Sequence, residues 1–79
     1  MDVVLYGKSD CPECETLRRH LDSRGVVYRM KVIDADGAAR QEWEDLDGEA
    51  SPLIAIDSRR FIRGLDRTRL DQALGFIGC

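Results

Sequence analysis

Asp2-Val3-Val4-Leu5-Tyr6-Gly7-Lys8-Ser9-Asp10-Cys11-Pro12-Glu13-Cys14 places an apolar run, a short polar loop and a Cys-x-x-Cys pair in direct succession. The run from Asp2 to Tyr6 is short and continuously apolar after its first residue, the pattern of a strand buried on both faces. Residues 7–10 then read as a loop, and Cys11-Pro12-Glu13-Cys14 opens a helix. Proline suits the first helical turn, because the N–H it lacks would have no partner there. Glu13 and Glu15 suit the positive end of the helix dipole. Cys14, Leu17 and Leu21 fall on one stripe at i, i+3, i+7, and Gly25 is placed to cap the end.

Working outward, Val26 to Ile33 reads as a second strand, with Arg29 and Lys31 on a partly wet face, as on a sheet edge. Asp36 is an N-cap for a second helix running to about Leu46, with Ala39, Trp43 and Leu46 as its apolar stripe. Asp47-Gly48 ends it. Ser51-Pro52 enters a third, wholly apolar strand, Leu53 to Ile56. Residues 57–60 form a turn, Phe61 to Arg63 a short returning strand, and Gly64 breaks it. Asp66 is placed to cap a last helix bearing Leu70, Ala73 and Leu74. The order is β-α-β-α-β-β-α, an α/β layout with strands one and three central, strands two and four at the edges, and three helices over the two faces.

Composition agrees with one small soluble domain over residues 1–79, ending in a loose tail at 75–79. The 79 residues are 43% hydrophobic and 34% charged, with a net charge of −3, which is unlike a nucleic-acid binder. No apolar run approaches the roughly 20 residues that cross a bilayer. The N-terminus lacks a basic region followed by an apolar one, so a cytoplasmic protein is expected, acting as a monomer. Charge is unevenly placed along the chain. Residues 34–49 hold seven acids against Arg40, and residues 59–69 hold five arginines (Arg59, Arg60, Arg63, Arg67 and Arg69) against Asp66. This is either two solvated faces or a basic rim for an anionic ligand.

In a reducing compartment a Cys pair reads as catalytic or metal-binding. A thiolate, not a thiol, attacks a disulfide, and free N–H groups at a helix start stabilise that anion. Cys11 is therefore the expected nucleophile, and Cys14, on the buried stripe, the resolving thiol. Lys8 favours the Cys11 thiolate, whereas Asp10, Glu13 and Glu15 oppose it, so Cys11 is expected to be only moderately acidic, as in a reductant. A zinc site needs four ligands, and the chain offers only His20 and Cys79 besides the pair, so no metal is assigned. A non-enzymatic metal-binding or redox-sensing module using the same pair is the alternative from another functional class. His20 is nine residues from Cys11, roughly 13.5 Å along a helix and on its far side. It cannot form a Cys–His dyad, and it reads as a surface histidine. Cys79 reads as a loose terminal thiol.

The run Lys8-Ser9-Asp10-Cys11-Pro12-Glu13-Cys14 after an apolar strand, then Ser51-Pro52, then Gly64-Leu65-Asp66, resembles the glutaredoxins and the related NrdH-type redoxins. The resemblance covers residues 2–75 in order and spacing. It implies a thioredoxin-like fold with a four-stranded mixed sheet of order 2-1-3-4, and a cis Pro52 facing the cysteines. It also implies glutathione contacts at Lys8, at the Ser51 backbone before Pro52, and at Gly64-Leu65-Asp66. The implied activity is dithiol–disulfide exchange serving cell redox homeostasis. Its partners would be protein disulfides, with glutathione or another small thiol as co-substrate. In the NrdH-type variant, thioredoxin reductase supplies electrons and ribonucleotide reductase receives them. The chain departs from the glutaredoxin pattern at Glu13, where an aromatic is usual, at Ala50-Ser51-Pro52 for Thr-Val-Pro, and at Arg63-Gly64 for Gly-Gly. Arg67 stands where a second acid is usual. These departures fall around the glutathione contacts and leave both cysteines in place.

Overall fold

A computed structural model describes residues 1–46, 48–49 and 51–75. Its elements are β1 (Val3–Gly7), α1 (Pro12–Ser23), β2 (Arg29–Val32), α2 (Gly37–Leu46), β3 (Leu53–Ile56), β4 (Arg60–Arg63) and α3 (Arg67–Leu74). The sheet order is β2-β1-β3-β4. β1 pairs parallel with β2 and antiparallel with β3, and β3 pairs antiparallel with β4. This is the thioredoxin-like arrangement, with the two wholly apolar strands in the middle.

The period-2 alternation of β1 divides the core in two. Val3 and Leu5 join Leu17, Leu21, Ile54, Ile56, Ile62, Leu70 and Leu74, so α1 and α3 share one face of the sheet. Val4 and Tyr6 join Ile33, Leu53 and Ala55 on the other face, with Trp43 and Leu46 of α2 packed against them. Leu5, Leu17, Leu21, Ile54 and Leu70 are fully enclosed. Each such side chain contributes about 1.5–3 kcal/mol of burial free energy.

The chain ends its elements with local chemistry. Asp36 Oδ1 accepts hydrogen bonds from the Ala38 and Ala39 N–H groups at 3.0 and 3.3 Å, capping α2. Asp66 Oδ1 accepts from Arg69 N at 3.0 Å, capping α3. Gly75 closes α3 in the left-handed region, φ 83°, where a side chain would be strained.

Two expectations are corrected. The second strand is shorter than residues 26–33. Arg29 is the partner of Val4 where the parallel pairing starts, and the same register sets residues 26 and 27 level with Met1 and Asp2, ahead of the first residue of β1. Val27 is consequently 87% exposed, while Val26 and Tyr28 pack against the α1/α3 core. The surface reading of His20 also fails. Its Nε2 lies 2.6 Å from Asp71 Oδ1, and the two side chains are only 13% and 8% exposed. α1 and α3 lie side by side on one face, so their polar flanks meet there instead of in solvent. Cys79 and the rest of the tail after Gly75 lie outside the described residues, as do Asp47 and Ala50.

Candidate active site

Register brings the separated motifs to one end of the sheet. Tyr6 pairs with Leu53, and Leu53 with Arg63. The loop after β1, the Ser51-Pro52 entry to β3 and the exit of β4 at Gly64 therefore share an edge. The last two are tied directly, because Gly64 N–H donates to the Pro52 carbonyl at 2.7 Å. The Ser51–Pro52 peptide is cis.

Cys11 and Cys14 are joined in a disulfide, with their Cα atoms 5.2 Å apart. Cys11 is the N-cap of α1, in extended backbone, with Pro12 beginning the helix. Its Sγ accepts a hydrogen bond from the Cys14 N–H at 3.1 Å, the position that oxygen caps occupy in ordinary helices. That N–H and the helix dipole would equally serve a sulfur anion on Cys11. Cys14 faces inward and is 2% exposed, whereas Cys11 is only partly buried. The two sulfurs therefore differ in access although they belong to one motif.

Gly7 supplies the room for this packing. A Cβ placed on it would lie 2.6 Å from Cys14 Sγ and 3.1 Å from the Met30 methyl group. The sequence marks Gly7 only as the end of a strand; its close approach to Cys14 comes from the tertiary fold.

The loop between β1 and α1 is anchored by a residue that sequence reasoning did not single out. Asp34, just after β2, accepts from Ser9 N–H at 3.0 Å and from Ser9 Oγ–H at 2.7 Å. These bonds hold its carboxyl below the ordinary value, first through the Ser9 hydroxyl, with the nearby Lys8 charge adding to the effect. Lys8 itself is exposed and lines a small cavity of about 100 Å³ with Ile33, Asp34, Arg40 and Trp43. Asp10 and Glu13 are exposed beside the cysteines. Leu65 is 39% exposed at the same edge, next to the Asp66 cap. The buried Ser51 hydroxyl has no hydrogen-bond partner. Among the described residues, no group of three or more His, Cys, Asp or Glu side chains could hold a metal ion, and no helix is long and apolar enough to cross a membrane.

The far end of α1 has its own polar lock. Asp71 accepts from His20 and, at 3.2 Å, from Arg24. Burial alone would raise the Asp71 carboxyl, but the bonds and charges of His20 and Arg24 outweigh it and leave the group below its ordinary value. This lock lies a helix length from the disulfide and takes no part in it. Nothing local marks it in the sequence, since its partners are 51 residues apart.

Known proteins are similar to this chain in sequence and in fold. Glutaredoxin 3 of Escherichia coli (strain K12) is 35% identical over 66 residues, covering 82% of this chain and 78% of its own length. The crystal structure of the thioredoxin-like protein BC3987 superposes with a TM-score of 0.81 at 28% identity, covering 89% of this chain and 96% of that one. The NrdH-redoxin of Escherichia coli shares the fold, with a TM-score of 0.79 at 19% identity over 91% of this chain and 93% of its own. The glutaredoxin family profile matches residues 3–62, a span that includes the disulfide, the cis Pro52 and the strands that bring them together, and the chain belongs to the glutaredoxin family.

Proposed function

We propose that this chain is a dithiol–disulfide oxidoreductase acting on protein disulfides, with Cys11 as nucleophile, Cys14 as resolving thiol and glutathione as co-substrate. The observation that carries the reading is the Cys11–Cys14 disulfide with its accessible sulfur at the N-cap of α1 and its other sulfur enclosed.

The cycle balances as follows. The Cys11 thiolate attacks one sulfur of a substrate disulfide, the substrate S–S bond breaks, and one substrate thiolate leaves. Cys14 gives up its proton and attacks Cys11 Sγ. The mixed disulfide breaks, the second substrate thiolate leaves, and the Cys11–Cys14 bond forms. Two electrons pass to the substrate. Two molecules of a small thiol restore the dithiol by the reverse exchange and become a disulfide themselves.

Family glutathione contacts map onto Lys8 for a carboxylate, the Ser51 backbone before Pro52, and Gly64-Leu65-Asp66 for the γ-glutamyl end. Their shared edge of the sheet and the Gly64–Pro52 hydrogen bond support this assignment. Asp10 and Glu13 temper the Cys11 thiolate, so Glu13→Gln should lower the Cys11 pKa; an unchanged thiolate titration would remove that role.

The test of the mechanism is a pair of variants. Cys11→Ser should lose reduction of a protein disulfide, and Cys14→Ser should accumulate a mixed disulfide visible by mass spectrometry. Full turnover in both variants would refute the mechanism. Oxidised protein offered glutathione with glutathione reductase, and separately thioredoxin reductase, identifies the electron donor through NADPH consumption. Consumption with thioredoxin reductase alone would make the chain an NrdH-type redoxin.

A further inference from the structure

β4 is an edge strand of the sheet, and its unpaired side faces a groove of about 300 Å³ shared with α3. Arg60, Arg69 and Gln72 line that groove with Phe61, Ile62 and Ala73, and no acidic side chain does. Arg60 and Arg69 are exposed, and neither forms a side-chain ion pair among the described residues. Asp66, the one acid within residues 59–69, directs its Oδ1 to the Arg69 backbone N–H. By contrast, the acids Glu15, Glu42 and Glu44 are matched by Arg18, Lys31 and Arg40. Arg60 and Arg69 thus carry positive charge with no ion-pair partner among the described residues.

That edge begins at the candidate active site. The exit of β4 is tied to Pro52 by the Gly64–Pro52 hydrogen bond. From that end β4 runs back through Ile62 and Phe61, which line the groove, to Arg60 at the strand's other end, a four-residue strand of roughly 13 Å. A strand edge offers main-chain N–H and C=O groups to an extended segment, and guanidinium groups offer charged donors to carboxylates.

We propose that the β4–α3 groove docks an extended acidic segment lying beside the disulfide of a protein substrate. Arg60 and Arg69 recognise its carboxylates. The proposal deepens, and rests on, the dithiol–disulfide reading above. It makes the basic stretch a determinant of substrate choice, separate from the sulfur chemistry. The simpler alternative is that the arginines only guard a bare strand edge against aggregation.

The experiment compares two synthetic peptides carrying the same disulfide, one flanked by Asp and Glu and one by Asn and Gln. Bis(hydroxyethyl) disulfide serves as a small neutral control. Wild type should reduce the acidic peptide roughly tenfold faster in kcat/KM at low salt, and the preference should shrink at about 0.5 M NaCl, where charges are screened. A variant with R60E and R69E should lose the preference yet reduce the small control normally, and R60K with R69K should keep most of it. Equal rates for the two peptides in wild type, or a preference that survives R60E and R69E, would overturn the proposal. Failure to reduce the small control would instead sink the dithiol reading. A Cys-free acidic peptide titrated onto wild type then still tests the groove: salt-sensitive binding abolished by R60E and R69E supports it, and its absence refutes it.

Discussion

α1 and α2 both follow a strand of the same parallel pair, and both are capped by a side chain that accepts hydrogen bonds from the first turn. At α2 the cap is the Asp36 carboxyl, bonded to two N–H groups. At α1 it is Cys11, whose sulfur accepts from Cys14 N–H. The cap geometry is shared and the chemistry is not. The fold uses a standard helix start in both places, and only one of them carries an atom that can change its bonding. Stability and reactivity should therefore be separable at α1, whereas Asp36 bonds the first turn of its own helix.

The largest expected effect tests that separation directly. Cys11→Ser keeps a capping oxygen but removes the proposed nucleophile, so disulfide turnover should vanish while the urea midpoint of the reduced protein moves little. A collapse of stability would show that the sulfur was needed for the fold. Next is Gly7→Ala, which has no counterpart near α2. Its new methyl would overlap Cys14 Sγ and should cost roughly 1–3 kcal/mol, by the usual magnitude of overpacking. Equilibrium unfolding of the reduced protein would show it. Asp36→Ala should cost about 1 kcal/mol of stability and leave thiol-disulfide turnover unchanged; reduced turnover would mean that the α2 start is coupled to the site.

The smallest effect is a change of slope with pH at the other end of α1. The Asp71 carboxyl is held below its ordinary value by His20 and Arg24 against the effect of burial. Its folded-state pKa thus lies below the unfolded one, roughly 3.9. The stability it contributes is complete above that value and fades as pH falls through the folded pKa. Urea midpoints of wild type and Asp71→Asn should therefore converge between about pH 5 and pH 2. Parallel curves would remove the lock from the acid response.

The element order was readable because its signals are local. Leu53 to Ile56 and Val3 to Tyr6 are unbroken apolar runs, and Asp36 and Asp66 stand where caps belong. The cysteine pair was readable for the same reason, three residues apart beside Pro12. What escaped were facts set by distant partners. The length of β2 depends on where β1 begins. The burial of His20 depends on Asp71, across the α1/α3 face. The roles of Gly7 and Asp34 depend on which side chain arrives beside them. None of these carries a periodicity or a neighbour-spacing signature, so each emerges only once the helices are laid on the sheet.

Because Cys14 is pressed against Gly7 with 2% of its surface exposed, the motif presents two thiols to an analyst of composition but only one to a collision. In a Cys79→Ser background, a bulky maleimide added to the reduced native protein should tag Cys11 and spare Cys14, and unfolding should reveal the second site. Order of encounter is thereby written into the shape of the molecule: whatever arrives from solvent meets the outer sulfur first.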